Sequence, residues 1–88
     1  MGTWRYVVSC SKNEDYDKLE WEIRELYPTK DGKFGYTADS VKPYGNSFEE
    51  LVQDLEHMRQ DCKRKILDLR SNEPQLVPLD VLLEELSK

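Results

Sequence analysis

The chain has 88 residues, enough for one small domain and too few for a second. With 38% hydrophobic and 10% aromatic residues it is too apolar for a disordered acidic segment, and 35% charge predicts a soluble, cytoplasmic protein. A net charge of -5, with 13 Lys and Arg against 18 Asp and Glu, argues against a nucleic-acid binder, which needs a clustered basic face.

No apolar run exceeds three residues, Tyr6-Val7-Val8 and Val81-Leu82-Leu83 among them, which predicts neither a membrane span nor a signal peptide. Cys10 and Cys62 are too few for a disulfide scaffold and lack the paired spacing of a zinc site, so both read as small buried apolar residues.

From Thr3 to Cys10, Trp4, Tyr6, Val8 and Cys10 alternate with Arg5, Val7 and Ser9, the period of two of a half-buried strand. The polar stretch from Ser11 to Asp17 reads as a connection. Residues 18–27 fit two patterns equally. As a strand, Leu19, Trp21 and Ile23 share a face; as a helix, Tyr16, Leu19, Ile23 and Leu26 do, with Ser11 and Glu14 as a capping box. The Asp31-Gly32 turn and the alternation of Phe34, Tyr36 and Ala38 tip the balance toward a hairpin.

Ser47-Phe48-Glu49-Glu50 is a capping box, and it predicts a helix from Phe48 to Lys63. Its inner stripe is expected to be Phe48, Leu51, Val52, Leu55, Met58 and Cys62, with acids at its start and Lys63, Arg64 and Lys65 at its end, as the helix dipole favours. Ile66, Leu67 and Leu69 prolong this helix or form a short strand. Pro74 and Pro78 break the chain, and Leu79, Leu82, Leu83 and Leu86 then make a narrow stripe on a terminal helix capped by Asp80.

The segments Trp4-Arg5-Tyr6-Val7-Val8, Trp21-Glu22-Ile23-Arg24-Glu25-Leu26-Tyr27, Asp31-Gly32, Tyr36-Thr37, Pro43-Tyr44-Gly45 and Ser47-Phe48-Glu49-Glu50-Leu51 resemble a family of small uncharacterised bacterial proteins with a β-β-β-α core. The order of elements is also similar to that of the HicB antitoxin domain. That resemblance implies an incomplete ribonuclease H fold and a small toxin as partner. HicB proteins carry a DNA-binding module after this domain, and residues 70–88 are too few and too acidic to be one.

Candidate chemistry is sparse. His57, the only histidine, has no catalytic partner in the sequence and reads as a surface residue. Asp15, Asp17, Glu20, Glu22 and Glu25 lack the spacing of a calcium loop and read as a solvated face. No phosphate loop or nucleophile elbow occurs. The expectation is a protein that is not an enzyme and uses neither cofactor nor metal.

The resulting fold expectation is an α+β domain over residues 1–69, with a three- to four-stranded antiparallel sheet, one main helix on one face, and a helical tail over 70–88. The function expected is a non-catalytic protein-interaction or regulatory module. Its partner, unknown in identity or a second copy, is met by Trp4, Trp21, Tyr36, Leu79, Leu82, Leu83 and Leu86. The alternatives are a HicB-like inhibitor of a small basic toxin, or a small-molecule-binding domain with a deep pocket lined by Tyr6, Trp21, Tyr36 and His57. Charge is uneven: residues 1–47 carry -1 and residues 48–88 carry -4. The second half is therefore the expected side for a basic partner.

Overall fold

A computed structural model of the chain describes residues 3–13, 15–29 and 31–88. The alternating segments form β1 (Arg5–Asn13), β2 (Lys18–Pro28) and β3 (Phe34–Tyr36); they are followed by α1 (Phe48–Asp61), β4 (Ile66–Asp68), β5 (Gln75–Val77) and α2 (Leu79–Leu86). The ambiguous segment is thus a strand, and Glu14 of its alternative capping box lies outside the described residues. The five strands make one sheet in the order β3-β2-β1-β4-β5.

The α+β class stands, and the sheet departs from expectation in two respects: it is mixed, and it has a fifth strand. β1 pairs antiparallel with β2 in unbroken register from Arg5–Leu26 to Asn13–Lys18, but β4 joins the other side of β1 in parallel. The excursion through β2, β3 and α1 returns the chain to that edge running in the same direction as β1, so the sheet is mixed. β5, absent from the sequence reading, closes it by pairing antiparallel with β4.

Alternation sends the two faces of β1 into two cores. Cys10 packs with Ile66 and Leu82, joined by Val8, Val77 and Leu86, on the face that carries the helices. Val7 packs with Leu26 and Leu67 on the other, and among the described residues none from a helix joins that cluster. It is buried because the sheet curls, so that Phe34 and Tyr36 of β3 and Leu76 of β5, from opposite edges, meet the same cluster.

The buried Arg24 belongs to this concave face, opposite Val7 in register. Its guanidinium donates to Ser9 Oγ at 2.9 Å, to the Thr37 carbonyl at 3.0 Å and to the Ala38 carbonyl, and it meets Glu22 at 3.3 Å. A buried cation is tolerated only with such partners, and these tie the chain leaving β3 back to the sheet. The same segment stays on β2 through the Thr37 N–H to Glu25 carbonyl bond (3.0 Å) and the Val41 N–H to Ile23 carbonyl bond (2.7 Å).

Helix α1 begins as its sequence dictates. Ser47 Oγ accepts the Glu50 N–H at 3.1 Å, though Glu50 reaches back to the Asn46 N–H and not to Ser47. The helix stops at Asp61, before the basic run. Gly45 approaches it so closely that a Cβ there would lie 2.3 Å from the Leu51 nitrogen. α2 has Pro78 at its cap position with no side-chain cap, and Asp80 sits inside its first turn. Among the described residues no helix is long and apolar enough to cross a membrane.

Candidate protein-docking face

The expected inner stripe of α1 is met in part: Met58 is buried and Leu51 and Cys62 are half-buried, but Phe48, Val52 and Leu55 face outward. The side chains turned toward the sheet include Asp54, Met58 and Asp61, at i, i+4 and i+7. Phe48, Val52 and Leu55 have the same spacing displaced by six residues, about 120° round the helix. They lie exposed, Phe48 at 79%. Two carboxylates therefore take inward places that apolar periodicity assigned to other residues.

Hydrogen bonding explains the two inward carboxylates. β4 pairs only with Ser9 and Cys10 of β1, leaving the start of β1 without a strand on that side. The Asp61 carboxylate accepts the Tyr6 N–H at 3.0 Å in its place. One turn and more earlier, Asp54 accepts the Tyr6 hydroxyl with one oxygen and the Tyr44 N–H, at 2.8 Å, with the other. Burial, together with the bond to Asp54, pushes the Tyr6 phenol above its ordinary pKa.

Around this contact the aromatic side chains cluster. Trp4 meets Tyr6 edge to face with centroids 5.0 Å apart, and His57 lies 5.3 Å from Tyr6 and 5.8 Å from Trp4. His57 Nε2 is 3.5 Å from Asp61. A groove of about 710 Å³ runs past Trp4, Tyr6, His57 and Tyr44, and its carboxylates are Glu25, Glu50 and Asp54. Trp4 is 44% and Tyr44 68% exposed.

The three carboxylates have only neutral donors. Glu25 accepts the Tyr27 hydroxyl, Glu50 the Asn46 N–H, and Asp54 the two Tyr groups. Among the described residues no Lys or Arg lies within salt-bridge distance of any of them. The groove thus joins aromatic faces to uncompensated negative charge, the combination that receives a Lys or Arg side chain.

The residues expected to meet a partner fall in separate places. Trp21 is exposed in a smaller groove with Val8, Ile23, Val41 and Cys62. Tyr36 packs into the concave core. Leu82 is fully buried against Cys10 and Ile66 with Leu86 beside it, while Leu79 and Leu83 are exposed. Tyr6 and His57 share the acidic groove, but Trp21 and Tyr36 lie elsewhere, so the four do not line one deep pocket. Sequence reading missed Tyr44, Glu50 and Asp54 as site residues. The Pro43-Tyr44-Gly45 turn running into the helix start was the available signal.

Among the described residues, no group of three or more His, Cys, Asp and Glu is arranged to hold a metal ion. No family model matches the chain, and neither the curated proteins nor the solved structures include a match.

Proposed function

We propose that the chain is a non-catalytic protein-interaction module that docks a basic protein against α1 and the Trp4–Tyr44 groove. The observation that carries this reading is the set of three carboxylates, Glu25, Glu50 and Asp54, bonded only to neutral donors beside the exposed Trp4 and Tyr44. An arginine or lysine entering there gains ion pairing and a ring face together. Phe48, Val52 and Leu55 are exposed on the side of α1 turned away from Glu50, Gln53 and His57, so the groove contact does not include them. Steering by the -4 charge of residues 48–88 speeds the encounter with a basic partner.

The test compares affinity capture by the wild-type chain with capture by Trp4→Ala/Tyr44→Ala, followed by binding measurements on the purified captured protein. The expected partner is basic and binds the variant at least tenfold more weakly. A partner held equally well by both chains contradicts the assignment. A second reading, a HicB-like inhibitor of a small toxin, rests on the same acidic placement and on the element order of three strands, helix and fourth strand. It predicts that a neighbouring gene encodes a small basic protein, toxic when expressed without this one.

A further inference from the structure

The curl of the sheet leaves a second concavity, of about 980 Å³, between its two edges and away from the acidic groove. Its walls include Leu26, Phe34, Leu76 and Leu79, so its floor is apolar. Around that floor stand five cations, Arg5, Lys33, Lys63, Arg64 and Lys65, against one carboxylate, Asp80.

The gathering is selective. Among the described residues Lys12, Arg24, Arg59 and Arg70 have a carboxylate within 4.0 Å, and eight Lys and Arg have none. Five of those eight line this one cleft, in a chain whose net charge is -5. Concentrating unpaired positive charge costs free energy unless something negative enters.

We propose that this cleft binds an amphipathic anion, with an anionic headgroup among Arg5, Lys63 and Arg64 and an aliphatic chain on Leu26, Phe34, Leu76 and Leu79. Three features support it. The half-buried Arg5 guanidinium is fixed by the Tyr6 and Lys65 carbonyls at 3.0 and 3.4 Å, which orients it without neutralising it. Burial, and then the nearby Arg64 charge, disfavour its protonated form more than Asp61 favours it, and a bound anion offsets the balance. The size falls within the range of about 300–1,000 Å³ typical of small-molecule sites, and the mix of apolar walls with a few charges is typical as well.

Decanoate below its micellar concentration is the probe, titrated calorimetrically into the full chain. The expected result is saturable one-to-one binding, accompanied by a rise in Tm with decanoate concentration. Lys63→Glu/Arg64→Glu, at two exposed positions, is expected to weaken it at least tenfold. Lys33→Glu, in the turn before β3, makes the same comparison with a smaller loss should the double variant fail to fold. Absence of binding, or equal binding by a folded charge-reversed variant, overturns the proposal. So does equally tight binding of decyltrimethylammonium, which shows that charge is not selected. Inorganic phosphate binding as tightly as decanoate shows a bare anion site and overturns the amphipathic assignment. The site is separate from the docking groove, so Trp4→Ala/Tyr44→Ala is expected to bind decanoate normally.

Discussion

The Asp61 carboxylate accepts the backbone N–H of Tyr6 at 3.0 Å, a side chain of α1 standing in for a strand that β4 is too short to supply. This bond fixes the rotation of the helix on the sheet. It thereby decides which side chains face inward and which remain available to a partner.

Replacing Asp61 by Ala leaves the Tyr6 N–H without an acceptor at a buried position, at a cost of about 1–3 kcal/mol. Asn, which retains an acceptor oxygen, is expected to cost less. Urea denaturation of the two variants measures the difference, and equal losses would show that the bond does not matter.

Tyr6 predicts a response to alkali. Its phenol is raised above the ordinary value by burial and by the bond to Asp54, so the folded state holds the proton more tightly than the unfolded state does. The associated stability is present below about pH 10, the unfolded value, and is lost as pH rises above it toward the folded value. Tyr6→Phe is expected to flatten the alkaline side of the stability profile. Absorbance titration of the wild type is expected to show a phenol ionising above the ordinary range, and that step is expected to be absent from Tyr6→Phe.

Asp68 gives the opposite dependence. Arg70 donates to both its oxygens at 2.9 Å, and that hydrogen bonding holds the carboxyl below the usual carboxylate range. Its contribution is therefore complete above about pH 4, the unfolded value, and disappears as pH falls through the folded value. Asp68→Asn is expected to make the loss of stability in acid shallower, seen as Tm against pH. Because Arg70 also pairs with Glu85 at 2.9 Å, Arg70→Met is expected to loosen α2 as well.

Arg24→Met tests the concave face. The substitution removes the donors to Ser9 Oγ and to the Thr37 and Ala38 carbonyls, and each acceptor left buried and unbonded costs about 1–3 kcal/mol. Hydrogen exchange at Thr37 and Val41 is expected to accelerate, since both amides bond to β2 in the segment Arg24 anchors.

The elements with long patterns were legible in the sequence. β1 showed through its alternation, β2 and β3 through the Asp31-Gly32 turn, and the start of α1 through Ser47. β4 and β5 have three residues each, too few for a period to show, and only tertiary pairing identifies β5. The inward side of α1 was legible at Met58 but not at Asp54 and Asp61, because apolar periodicity assumes that carboxylates face water, whereas these two accept from Tyr6 and Tyr44. The curl that gathers Arg5, Lys33 and Arg64 joins residues far apart in the chain, and composition dilutes them in a net negative total.

The most direct measurement of the docking assignment uses the two indole N–H resonances of the ¹⁵N-labelled chain. Trp4 lines the acidic groove and Trp21 a separate one. Titration with the purified basic partner is expected to shift or broaden Trp4 at stoichiometric ratios while Trp21 stays unchanged. A shift confined to Trp21, or no change at either indole on saturation, would contradict docking at the Trp4–Tyr44 groove.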